Sequence, residues 1–149
     1  KALWSGDETS FVGEHTTAPA ITNNPRPLST PHPRIMIGGT GPNKTLRMVA
    51  QYADACNIGE WVGKANMQQA LDTLKAHCEK LGRAYDTIEK TSLSTAHLSE
   101  KDTVAGVMQR LEELRAIGFT HAIFNMPDVY NITSLEVFGK EIIPAAAEL

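Results

Sequence analysis

From residue 34 onward the apolar positions switch regularly between two periods. Arg34-Ile35-Met36-Ile37-Gly38 is a short apolar run closed by proline and glycine, the form of a buried strand. Leu46, Val49, Ala50 and Ala53 then recur at helical spacing. Residues 53–58 (ADACNI) predict a second strand. Met67, Ala70, Leu71, Leu74, Cys78 and Leu81 draw one face of a longer helix, with Gly82 placed to end it. Residues 88–98 alternate Thr, Ser and Leu as a third strand. Ser99-Glu100-Lys101-Asp102 reads as a capping box, opening a helix whose apolar face is Val104, Val107, Met108, Leu111, Leu114 and Ile117, with Gly118 as its stop. Residues 119–126 (FTHAIFNM) predict a fourth strand, and 134–149 a last helix bent or restarted at Pro144.

Four β-α units in strict alternation predict a parallel sheet with right-handed crossovers. They amount to half of an eight-fold barrel, which typically needs about 250 residues, or to a small open doubly wound sheet. Periodicity does not separate the two. Ahead of them, residues 14–33 hold five of the eight prolines among Thr, Asn, Ser and His. Such a stretch excludes a helix and makes a poor central strand, so it reads as a surface connection within a single partial domain spanning 1–149. Residues 1–13 offer Trp4, Phe11 and Val12 for packing.

Composition narrows the function. With 149 residues, 42% hydrophobic and 21% charged, the chain has the usage of one globular domain with its own core. The net charge is −3 and Lys and Arg are interspersed with Asp and Glu, which argues against a nucleic-acid partner. No apolar run approaches the roughly 18 residues that cross a bilayer, so no membrane partner is expected. The start, Lys1-Ala2-Leu3-Trp4-Ser5-Gly6-Asp7, has no signal-peptide pattern and no initiator Met, and the expectation is a chain that continues upstream. Cys56 and Cys78 form no framework, which points to a reducing, cytoplasmic setting.

The stretch richest in chemistry is Ile37-Gly38-Gly39-Thr40-Gly41-Pro42-Asn43-Lys44-Thr45, joining a buried strand to a helix. Glycines admit a close backbone approach, and the unpaired amides of a helix start attract anions. Thr40 and Thr45 bring hydroxyls and Lys44 a positive charge, so a phosphate suits the place. Asn43 stands where a Walker A loop needs glycine, and the third glycine of a dinucleotide fingerprint is missing. The competing reading is a tight turn whose glycines serve only positive φ.

Other candidates each carry two readings. His97 stands near the C-terminal end of the third strand as a reacting group or a loop histidine, and His121 opens the fourth strand in a structural role. Asn57 and Asn125 end strands, as donors to a ligand oxygen or as loop caps. Trp61 and Tyr130 follow strands, bordering a ring-shaped ligand or packing in the core. Asp54 and Glu60 form no acid–base pair, and His15 and His32 lack partners at ligand spacing, so no metal is expected.

The run PRIMIGGTGPNKTLRMVAQYADACNI (33–58) resembles the signature of the bacterial luciferase-like monooxygenase superfamily, nearest to its deazaflavin (coenzyme F-420)-dependent oxidoreductase branch. Phe11-Val12-Gly13-Glu14-His15 and the tail GFTHAIFNMPDVYNITSLEVFGKEIIP are similar to that family too, so the likeness covers nearly the whole chain. It implies an α/β fold, the C-terminal half (strands five to eight with their helices) of a luciferase-like TIM (βα)8 barrel. It also implies deazaflavin coenzyme F-420 or FMN held across the C-terminal ends of the strands, beside a small-molecule substrate. By motif position Gly38, Gly39, Thr40 and Gly41 would hold the phosphate end or ring edge, with Thr45 beside them. Asn57, Ile58 and Gly59, with Gly63 and Lys64, would add anion contacts. In this family the preceding half supplies much of the substrate pocket, so no general acid or base is assigned and a fragment is expected to turn over little. The alternatives are a non-catalytic phosphate-binding α/β module with an open sheet, or a purely structural partner. Unpaired edges of a half barrel predict a homodimer or higher self-association.

Overall fold

Strand β4, Ala55–Gly59, buries every residue but Asn57, as its apolar run predicts, and the other strands are laid out around it. The computed structural model describes residues 2–5, 9–98, 100–127 and 129–149. The chain divides into two units, 1–34 and 35–149. In the first, strands β1 (Thr9–Val12) and β2 (Thr17–Ile21) pair antiparallel. The amide of Gly13 closes the turn on the Thr16 carbonyl at 2.8 Å. Pro19 lies inside β2, and every strand of a two-stranded ribbon is an edge, where a strand proline is tolerated. From 22 to 35 the chain forms neither helix nor strand. Val12 is exposed and Phe11 half-exposed, so neither fills a core.

The second unit is a four-stranded parallel sheet in the order β3 (Met36–Gly38), β4, β5 (Glu89–Thr95), β6 (His121–Asn125). Helices α1 (Thr45–Tyr52), α2 (Lys64–Lys80) and α3 (Val104–Ala116) follow the first three strands; α4 (Ile132–Val137) and α5 (Ile143–Ala147) follow the last. The strand order never reverses, whereas a doubly wound sheet requires a reversal. The registers pair Ile37 with Cys56 and Lys90, Ile58 with Ser92 and Ala122, and Ser94 with Phe124. Of this set, Ile37, Cys56 and Ile58 pack with α1 and α2, and Phe124 with α3 and the C-terminal helices. All the helices therefore lie on one face. The opposite face carries Met36, Asn57, Thr91, Leu93, His121, Ile123 and Asn125. The open doubly wound alternative is thereby set aside.

Two helix boundaries differ from expectation. Helix α3 starts at Val104 under a Thr103 cap, whose Oγ1 accepts the Gly106 amide at 3.1 Å. Ser99 of the expected capping box lies outside the described residues. The carbonyl of His97 instead gathers the amides of Glu100, Lys101 and Asp102 within 3.2 Å, so the chain makes one tight turn before the helix. The last helix begins two residues early under Asn131, which accepts the Thr133 amide at 3.2 Å. It widens into a π turn over Phe138–Ile142 just ahead of Pro144. Proline has no N–H for the carbonyl of Lys140 four residues back, and a wider turn accommodates that loss.

Gly82 ends α2 at φ +63 as expected and delivers Arg83 to the far end of α1. There the guanidinium donates to the carbonyls of Val49 (3.3 Å), Ala50 (3.0 Å) and Ala53 (2.7 Å), capping the negative end of that helix. Removing it as Arg83→Met leaves these acceptors short of a donor in a half-buried place. We expect a loss of about 2 kcal/mol, read as a lower urea midpoint, and an unchanged midpoint would show that the cap is dispensable.

Candidate functional site

Parallel strands bring their C-terminal ends to one rim, and here that rim carries the glycine turn after β3, the Glu60–Val62 turn after β4 and the segments after β5 and β6. At the glycine turn the amide of Gly39 is spent on the Asn57 carbonyl at 2.9 Å, extending the ladder by one bond. Gly41 accepts the Leu46 amide at 3.0 Å, and Lys44 that of Met48 at 2.9 Å. The amides of Thr40, Gly41, Asn43, Lys44 and Thr45 take no part in these bonds. Helix α1 starts without a side-chain cap, and Gly38, Gly39 and Gly41 to Lys44 are exposed. The corner is therefore open, its free amides beginning one residue later than the paired glycines suggest.

Both glycine readings hold, at different positions. Gly39 has φ +113, a backbone that side-chain-bearing residues rarely adopt. At Gly41 a Cβ would come within 2.8 Å of Thr45 Oγ1, so close approach is what that position requires. Thr45 thus lies against the turn, its methyl toward Gly39 and its hydroxyl toward Gly41. From α2, His77 Nε2 donates to the Pro42 carbonyl at 2.7 Å and fixes the corner from outside. A carbonyl only accepts, so Nε2 carries the proton. Sequence reasoning missed this residue, which sits 35 positions away.

Asn57 stands beside Gly38 and Thr91 on the helix-free face, its amide 3.6 Å from Met36 Sδ. Gly59 is buried under the indole of Trp61, whose six-membered ring occupies the space a Cβ would need. Alternation from Ile58 places that indole on the helix-free face. Lys64 is drawn to Glu113 of α3 at 2.6 Å. Its hydrogen bond and charge hold the Glu113 carboxyl below the usual range, so the pair persists until pH falls through that lowered value. Of the expected set, Gly38, Gly39, Thr40, Gly41, Thr45 and Asn57 come together at the corner; Lys64 is engaged elsewhere.

The remaining candidates sort by position. His97 binds Asp102 Oδ2 through its backbone amide at 2.7 Å, and its ring stands 3.5 Å from Glu100. His121 contacts Glu89 at 3.0 Å at the N-terminal end of the sheet. Trp61 and Tyr130 are 75% and 89% exposed, so neither packs in a core. Glu60 turns to the helix side, where Arg110 approaches it at 3.8 Å. Asp54 accepts the Ile35 amide at 2.7 Å. His15 is exposed beside Glu14, and the ring of His32 lies 5.6 Å from that of Trp4.

Toward the N-terminal side, burial pushes the Tyr85 phenol up to about 12, with the ammonium of Lys90 4.3 Å above its ring. Burial likewise raises the thiols of Cys56 and Cys78, both in the core. Thiolate is the reactive form. We therefore expect both cysteines to resist Ellman's reagent at pH 8 in the folded protein and to react after denaturation; rapid reaction without denaturant would contradict their burial.

A sequential parallel sheet with its helices on one face and a glycine-rich corner at its C-terminal rim defines an α/β protein. The chain belongs to the luciferase-like monooxygenase family, whose sequence profile matches residues 1–127. Among solved structures it is similar to an F420-dependent secondary alcohol dehydrogenase in complex with an F420–acetone adduct, at 15% identity and TM-score 0.76 over 97% of this chain and 58% of that one. The coenzyme F420-dependent tetrahydromethanopterin reductase of Methanopyrus kandleri matches at 13% identity and TM-score 0.78, over 95% and 59%. A riboflavin lyase with modified FMN and riboflavin matches at 11% identity and TM-score 0.66, over 94% and 48%. The chain thus spans less than two thirds of each. No curated protein matches it in sequence.

Proposed function

We propose that this chain is part of a flavin- or deazaflavin-dependent oxidoreductase, with β3 to β6 equivalent to the fifth to eighth strands of a (βα)8 barrel. The cofactor, F420 or FMN, would place a phosphate against the free amides from Thr40 to Thr45 at the start of α1. Its ring would lie along the helix-free face, toward Asn57 and Trp61. One observation carries this reading: an uncapped helix start, opened by Gly39 and Gly41, at the C-terminal rim of a parallel sheet. Phosphate oxygens suit such a place because the unpaired N–H groups and the helix dipole act together. Family membership and the cofactors in the names of the structural neighbours support the same choice.

When bound, the cofactor supplies hydride transfer or, for FMN, oxygen activation, while these residues bind and orient it. Lys64 is omitted from the phosphate contacts because Glu113 holds it. We expect FMN or F420 to bind with a change in its fluorescence, and Gly41→Val, which collides with Thr45, to weaken binding about tenfold, or about 1.4 kcal/mol. Binding of neither cofactor would overturn the reading. Binding of inorganic phosphate alone at the same corner would favour a non-catalytic module.

Two further expectations belong to it. Among the described residues, strands β3 and β6 each pair on one side only, and the helix-free face exposes part of Met36. We propose that another copy of the chain covers these edges. Sedimentation should show a dimer or larger species, and a monomer at all concentrations would refute this. The isolated chain should reduce or oxidise substrate poorly even when cofactor binds.

A further inference from the structure

One arginine joins more of the rim than any motif suggests. Arg110 rises from the middle of α3, where Val107, Leu111 and Leu114 already pack against the rest of the unit. Its Nη2 donates to the Thr95 carbonyl at the end of β5 at 3.1 Å. Its Nη1 lies 3.9 Å from Asp102 ahead of α3, and its Nε lies 3.8 Å from Glu60 after β4. The guanidinium also stands 5.2 Å over the ring of Phe124 in β6. Three strand ends and the β5–α3 connection thus meet at one planar cation, a geometry that a lysine would not reproduce.

The Glu60 contact is the unusual one. Its side chain is 16% exposed, and among the described residues neither Oε1, which is buried, nor the buried Arg110 Nε has a hydrogen-bond partner. A carboxylate withdrawn from water is costly unless a cation stands beside it. Among the described residues the cation within 4 Å of Glu60 is Arg110. Glu60 is therefore held where the guanidinium is. Its neighbours are Gly59, which lacks a Cβ, and Trp61, whose ring fills the vacated space on the opposite face.

We infer that Arg110, acting through Glu60, is a positioning residue that lays Trp61 flat against Gly59 as a wall of the ring-binding face. Glu60 anchors the turn on the helix side, and the chain reversal over Glu60–Val62 returns the indole to the helix-free side. Asp102 receives a second arm of the same cation and passes its hold to the backbone of His97. The positioning itself stands apart from the cofactor proposal; its role as a ring wall rests on that proposal.

An indole held over Gly59 shifts the Gly59 α-protons upfield by its ring current, and Trp61→Leu supplies the unshifted reference. We expect Arg110→Met and Glu60→Gln each to move these resonances toward that reference, while Asp102→Asn leaves them in place and perturbs the His97 amide. If Arg110→Met fails to fold, Glu60→Gln decides alone. Gly59 resonances unmoved in the folded variants would overturn the inference. In the FMN titration, Glu60→Gln should weaken binding about tenfold. Wild-type affinity despite a displaced indole would overturn the wall. Binding of neither FMN nor F420 by the wild type would sink the cofactor proposal and leave the Gly59 result to judge the positioning.

Discussion

The parallel register organises this molecule. Because Gly38, Asn57, Thr91 and His121 stand in one row, side-chain alternation sends Ile37, Cys56 and Ile58 to one face together and Asn57 and Leu93 to the other. A slip of one residue in β4 would place Asn57 among α1, α2 and their apolar partners. The register also sets the rim. Every β-to-α connection leaves from the same end, so residues far apart in sequence arrive beside one another. The Gly39 amide on the Asn57 carbonyl is the last bond of that ladder and marks where the sheet ends and the glycine corner begins.

Much of this architecture was legible from periodicity. The strand cores, the apolar faces of α2 and α3, and the helix-ending roles of Gly82 and Gly118 follow from spacing and backbone freedom, both local properties. The start of α3 was not, because a His97 carbonyl that collects three amides delays the helix until Thr103 caps it. Spacing was also silent on strand order, and the sequential order that sets aside a doubly wound sheet needed the structure.

The corner was legible in part. Glycines at 39 and 41 and a helix starting soon after them were read correctly, whereas the spending of the Gly39 amide depends on a neighbouring strand. Lys64 looked available because Glu113 lies 49 residues away. Arg83, His77 and Arg110 left no local trace for the same reason: each side chain acts on backbone from another element. Trp61 and Tyr130 could be read as core or rim, since an aromatic after a strand fits both until exposure is known.

Helix α1 has only eight residues, about 12 Å of rise. A guanidinium holds its carbonyl end while its amide end opens on the corner. Such a short strut has too few internal bonds to persist alone in water. Its direction is borrowed from the elements at either end, and so is the aim of its free N–H groups. Any anion affinity of the proposed corner would therefore be tied to a cation at the other end of the helix, and sequence drift at position 83 would alter it without touching the corner.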